Sequence, residues 1–173
     1  TTGFAADAGD RIVEIGCVEL INHIPTGQTF QRYLNPERDM PEQAFAVHGL
    51  SREFLSGHPL FADVVEDFLE FLGASTLVIH NAKFDLQWLR QRYDLNVTKV
   101  FCTLTASKLL TTGDREAKNN LKTCLSRWLD IDLPKDQGKS DWGSMMLMPE
   151  QLEYAANDVA HLHALKEKLQ VAI

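Results

Sequence analysis

Asp85, Tyr154 and Asp158 have the side-chain types, and the spacing, to hydrolyse a phosphodiester. Tyr154 and Asp158 are four residues apart in a strongly periodic segment. They would share one helical face, with a phenol one turn from a carboxylate. Asp85 follows the apolar run 76–79 at the start of a helical pattern, where a carboxylate can face a cleft. Carboxylates suit hard divalent cations such as Mg²⁺ or Mn²⁺. Two such ions about 3.5–4 Å apart activate a water and stabilise a departing 3′ oxyanion. The phenol would orient, or help deprotonate, that water. Each feature has a plainer reading. A His-Asn…Asp stretch after a strand serves cap and turn chemistry, and Tyr and Asp at i, i+4 form ordinary helix-surface pairs.

The elements that must position these residues alternate between strand and helix. Residues 11–20 are rich in Ile and Val and are predicted as a strand, with 28–34 as its hairpin partner across a Pro25-Thr26-Gly27 turn. Residues 36–49 are predicted as loop with a short turn, and Ser51 as the N-cap of a brief helix through Leu55. Leu60, Val64, Phe68 and Leu72 recur at helical spacing between Pro59 and Gly73. Beyond them come a strand at 76–79, a helix at 84–92, a strand at 100–102 and helices at 103–110 and 121–129. A polar loop covers 111–118, 130–148 is mostly irregular, and a last helix starts near Pro149. A hairpin followed by alternating strands and helices predicts one α/β domain over 1–173, with a mixed sheet flanked by helices.

Composition narrows the class. The chain has 173 residues, 45% hydrophobic, enough for one domain with its own core. No run of about 18 apolar residues marks a membrane span, and the start of the chain has no basic-then-apolar leader pattern. Cys17, Cys102 and Cys124 are odd in number and lack CxxC spacing, which predicts reduced thiols in a cytoplasmic protein rather than a zinc site. The net charge of −7 argues against a protein that coats nucleic acid electrostatically. That charge is uneven. Residues 1–85 hold 5 Lys+Arg and 13 Asp+Glu, and residues 86–173 hold 12 and 11, so −8 and +1 make up the −7.

His80-Asn81-Ala82-Lys83-Phe84-Asp85 and Tyr154-Ala155-Ala156-Asn157-Asp158, in this order, resemble two of the three acidic motifs of the 3′–5′ exonucleases with four catalytic acids, which have the ribonuclease H-like fold. Roughly 1–79 resembles the proofreading epsilon subunits of bacterial replicative DNA polymerases, through Thr1-Thr2-Gly3, residues 11–16, Tyr33-Leu34-Asn35-Pro36 and residues 46–50. Roughly 80–169 resembles ribonuclease D and the exonuclease domains of family A polymerases, through residues 100–103, Asn120-Leu121-Lys122, Ser140-Asp141-Trp142 and the Tyr154 to Asp158 stretch. A mosaic junction near 79–85, natural or engineered, accounts for the two likenesses. The resemblance implies that Asp158 binds a metal directly and that Asp85 supports the metal site through water. It implies that Tyr154 positions the nucleophile, and that His48, Asn81 and Phe84 line the pocket of the 3′-terminal nucleotide. Phe84 has a rival role in core packing, and His48 a rival role in bonding backbone. His161 and His163 follow Asp158 rather than preceding it, so they do not match the histidine-based form of the last motif.

One expected motif is missing. The family places an Asp-x-Glu on a first, central strand just ahead of a Thr-Thr-Gly turn, and this sequence opens at Thr1-Thr2-Gly3. The first central strand would then be absent from the sheet, with unpaired backbone on both sides. A trimmed sequence is the favoured explanation. A strand from another chain, or a rearrangement that brings up Asp7, Asp10 or Glu14, would also restore carboxylates. The expected function is 3′–5′ hydrolysis of single strands to 5′-monophosphates, DNA favoured over RNA, impaired by that loss. The expected partners are a nucleic-acid 3′ end and either a polymerase or a second copy of the chain. The rival reading is an inactive nucleic-acid-binding or assembly module.

Overall fold

A computed structural model describes residues 1–93, 95, 97, 99–133, 159 and 161–173. Tyr154 and Asp158 lie outside the described residues, as does the start of the last predicted helix. The chain is α/β. After a 3-10 turn at Ala6–Ala8 come β1 (Glu14–Ile21), β2 (Ile24–Tyr33), α1 (Glu42–His48), α2 (Arg52–Ser56), α3 (Phe61–Leu72) and β3 (Leu77–Ile79). Then follow α4 (Ala82–Tyr93), β4 (Val100–Cys102), α5 (Thr103–Leu110), α6 (Leu121–Leu129) and α7 (Leu162–Ala172). No described helix is long and apolar enough to cross a membrane.

The strands form two small sheets. β1 pairs antiparallel with β2, and β3 pairs parallel with β4. Among the described residues no ladder joins β1 to β3, so the mixed strand directions expected of one sheet are divided between two. The hairpin turn differs from its prediction. Asn22 and His23 make it, both at positive φ (51° and 65°), the geometry of a two-residue turn whose twist matches the strands. Pro25-Thr26-Gly27 lies inside β2, where Thr26 Oγ1 donates to Glu19 Oε1 at 2.8 Å. Proline is tolerated there because β2 is an edge strand. β1 begins later than predicted because Arg11 is engaged with the chain start. Thr2 N–H donates to the Arg11 carbonyl at 2.8 Å, and Arg11 N–H to Thr2 Oγ1 at 2.9 Å.

Most helix ends follow local chemistry. Ser51 Oγ accepts from Phe54 N–H and Asn120 Oδ1 from Thr123 N–H, each capping its helix as predicted. Asp63 accepts from Leu60 N–H at 3.1 Å, and Gly73 closes α3. The segment 36–49 departs from its predicted loop. It carries α1, which buries no residue and stops at Gly49 with φ 69°. A short helix without a buried face leaves no apolar period to read.

Among the described residues, three apolar clusters hold the elements. Phe30 and Leu34 pack with Phe61, Val64 and Phe68 of α3 and Leu86 and Leu89 of α4. Cys124 and Leu125 of α6 pack with Leu162, Leu165 and Leu169 of α7, with Ala106 of α5 alongside. Val13, Leu50 and Leu55 form the third.

Candidate active site

Asp85 sits in the first turn of α4, immediately beyond the end of β3. Its residue surface is exposed, yet enough protein surrounds the carboxyl that desolvation raises its pKa to about 6. Its own backbone N–H opposes that rise. The carboxyl is thus open to solvent on one side and crowded by protein on the other. Asp85 also adds to the burial that pushes the Cys17 thiol up to about 11.

Thr1 is the common neighbour of the site. Its backbone nitrogen is within electrostatic reach of Glu14, Asp85 and Asp10. Thr1 also adjoins His48, whose pKa falls to about 4, chiefly by burial, against a rise from the Thr1 backbone. The fold therefore brings Asp85 and His48, 37 positions apart in the sequence, to the same Thr-Thr-Gly stretch. His48 Nδ1 accepts from Leu50 N–H at 3.0 Å, which is its plain backbone role. That bond puts the proton on Nε2, which is buried without a hydrogen-bond partner.

Asn81 and Phe84 lie on the same turn of chain as Asp85. Asn81 is exposed in the left-handed region, φ 67°, which Asn tolerates better than most residues. Its carbonyl accepts from Phe84 N–H at 2.9 Å, opening α4. Phe84 is half-buried between Phe4 and Trp88, with ring centroids 6.1 and 5.9 Å away. Packing thus engages Phe84, and Phe4 itself is 83% exposed.

Two of the carboxylates considered as replacements carry other hydrogen bonds. Asp10 takes hydrogen bonds from Thr2 Oγ1, Ala5 N–H and Arg38. Glu14 accepts from Gln31 Nε2 at 3.0 Å on the hairpin, and Asp7 is exposed in the 3-10 turn. Among the described residues, no three His, Cys, Asp or Glu side chains are grouped to hold a metal ion. Asp85 alone does not fit two divalent ions, and the other predicted ligand, Asp158, is outside the described residues.

His80 is a residue to which sequence reasoning gave no role. Its Nδ1 lies 2.9 Å from Thr103 Oγ1 and its Nε2 3.0 Å from the Asn119 carbonyl. A carbonyl only accepts, so Nε2 carries the proton and Nδ1 accepts from the Thr103 hydroxyl. Asn119 Oδ1 accepts from Ser107 Oγ at 2.6 Å and from Arg127 at 3.2 Å, and its Nδ2 donates to Thr111 Oγ1 at 3.1 Å. Thr103 and Ser107 are wholly buried. This network ties the end of β3 to α5 and α6. The only signal in the sequence was a histidine directly before Asn81.

With that geometry, the chain belongs to the exonuclease (RNase T) family, whose model matches residues 1–132. The match runs across 79–85 and ends ahead of Tyr154. DNA polymerase III subunit epsilon of Rickettsia prowazekii (strain Madrid E) is 50% identical over 95 residues, 55% of this chain and 42% of that protein. The epsilon subunit of Salmonella typhimurium (strain LT2) is 40% identical over 132 residues, 73% of this chain and 54% of that one. The chain thus spans about half the length of these relatives. Exonuclease X in complex with 5′ overhanging duplex DNA shares the fold, with a TM-score of 0.65 and 19% identity over 99% of this chain and 87% of that one. Brucella melitensis NrnC with bound Mg²⁺ has a TM-score of 0.51 and 25% identity over 85% of this chain and 59% of that one.

Proposed function

We propose that this chain is a 3′–5′ exonuclease domain, one unit over 1–173, that removes nucleotides from single-stranded 3′ ends as 5′-monophosphates. The observation that carries the reading is the convergence of Asp85 and His48 on Thr1-Thr2-Gly3 in a chain of the exonuclease family. In this reading Asp85 and Asp158 hold magnesium or manganese, as the Mg²⁺ bound to NrnC supports for the metal class. When bound, two such ions supply an activated water and neutralise the leaving oxygen. Tyr154 orients the water. Asn81, with its left-handed backbone, and His48 line the pocket of the 3′-terminal nucleotide, and Phe84 packs beside it. DNA is the favoured substrate because the relatives are DNA polymerase subunits. A polymerase or a second copy of the chain is the proposed protein partner.

The rival reading is an inactive nucleic-acid-binding or assembly module, since Asp85 and Asp158 by themselves would hold two 2+ ions weakly. A single experiment separates the readings. 5′-labelled single-stranded DNA is incubated with Mn²⁺ and this chain, Asp85→Ala, Asp158→Ala, or a chain extended ahead of Thr1 by a strand bearing Asp-x-Glu. The extended protein is expected to shorten the strand from its 3′ end, the 173-residue chain to do so weakly or not at all, and the two variants not at all. An extended protein that stays inert on DNA and RNA single strands overturns the site assignment.

A further inference from the structure

The ion pairs among the described residues are Arg11–Glu37, Arg38–Asp10 and Arg52–Asp39, all in the acidic first part of the chain. The cations of residues 108–127 stand apart from these. Lys108, Arg115, Lys118, Lys122 and Arg127 are exposed, and none of the described carboxylates pairs with them. Asp114 and Glu116 are the two acidic residues of the same stretch, and Asp114 Oδ1 is occupied by the Glu116 N–H at 3.0 Å. In a chain of net charge −7, this is a local excess of positive charge.

One of these cations, Arg127, is held in place, and its partner Asn119 is tied to the corner that carries Asp85. Arg127 donates to the Lys118 carbonyl at 2.9 Å and to Asn119 Oδ1 at 3.2 Å. Asn119 in turn accepts, through its carbonyl, from His80 Nε2 at 3.0 Å. His80 adjoins Asn81 and is five positions from Asp85 on the same β3–α4 corner. A solvated basic face usually floats on flexible side chains over its own helix. This one straddles a loop and two helices that a buried polar network holds against the corner carrying Asp85.

We infer that Lys108, Arg115, Lys118, Lys122 and Arg127 form the track for the sugar–phosphate backbone of the single strand whose 3′ end lies at Asp85. The inference rests on the exonuclease reading and deepens it. Phosphate contacts position a strand without reading its sequence, and they make its binding depend on salt. They are what an acidic nuclease needs in order to hold a polyanion against its own field.

The test measures binding of a labelled single strand of about 12 nucleotides by fluorescence anisotropy across a salt series, in metal-free buffer so that the strand stays intact. Arg115→Gln, Lys118→Gln and Lys122→Gln are combined in one protein. A second protein loses three charges elsewhere, through Arg32→Gln, Lys99→Gln and Lys168→Gln. The track variant is expected to bind more than about tenfold more weakly at roughly 0.1 M salt, with its log–log salt slope reduced by about 2, since each single-strand phosphate contact contributes about 0.7. The control variant and binding of a dinucleotide are expected to stay unchanged. Equal weakening in the two variants, or unchanged affinity and slope in the track variant, overturns the inference and leaves the exonuclease reading standing. Absence of strand binding by the unmodified chain overturns both.

Discussion

His80 Nε2–H donates to the Asn119 carbonyl across 3.0 Å, joining the corner that bears Asp85 to the loop ahead of α6. The same ring takes the Thr103 hydroxyl on its other nitrogen, and burial lowers its pKa, keeping it neutral and able to accept there. One imidazole thus satisfies groups from two neighbouring elements.

Replacing His80 is expected to cost more than a surface histidine should. His80→Leu leaves the Asn119 carbonyl and the buried Thr103 hydroxyl short of partners, a loss of about 1–3 kcal/mol in urea unfolding. His80→Gln, which keeps a donor, is expected to recover part of it. Equal losses in the two variants would mean that packing, not the hydrogen bonds, is what His80 provides.

Acid should weaken the fold through His48. Its pKa is about 4 in the folded chain against 6.5 when free, so the unfolded chain holds the proton more tightly. The stability His48 contributes is present above the free value and is lost as pH falls through the folded one. His48→Gln is expected to flatten the melting temperature between about pH 7 and about pH 4.5. An unchanged acid slope would reject this role.

Asp85 carries the opposite sign. Its folded pKa, about 6, lies above the ordinary 3.8, so ionising it costs stability as pH rises through that interval. Asp85→Asn is expected to raise the melting temperature at pH 8 by up to about 2–4 °C, under about 1 kcal/mol after solvent screening. The same change is expected to abolish Mn²⁺-dependent digestion by the extended protein. Thermal melts at pH 8 check the first half and digestion of labelled single-stranded DNA the second, and a destabilised Asp85→Asn protein would contradict the crowding of the carboxyl.

The two ends of α7 should respond differently to truncation. Leu165 is fully buried against α6, and Leu165→Ala is expected to cost about 2–5 kcal/mol. Val171, 84% exposed, is expected to change stability by less than about 0.5 kcal/mol on Val171→Ala. Chemical denaturation of the two proteins side by side measures the contrast.

Local signals in the sequence determined much of this protein. The Ile- and Val-rich run, the apolar period from Leu60 to Leu72, and the Ser51 and Asn120 caps each act over a few residues, so each was legible without the fold. The ordered His80–Asp85 and Tyr154–Asp158 stretches pointed to the exonuclease family, and the match over 1–132, which covers the first of them but not the second, shows that family. What tertiary structure decided is whatever depends on residues distant in sequence. It placed His48 and Asp85 at Thr1, made Asn119 a hub for His80, Ser107 and Arg127, and divided the strands into two pairs. It also moved the hairpin turn to Asn22-His23, because strand twist and register across the whole ladder outweigh the local preference of Pro25-Thr26-Gly27. Caps and periods are written in neighbouring residues, whereas desolvation and long-range hydrogen bonds exist only once the chain has folded around them.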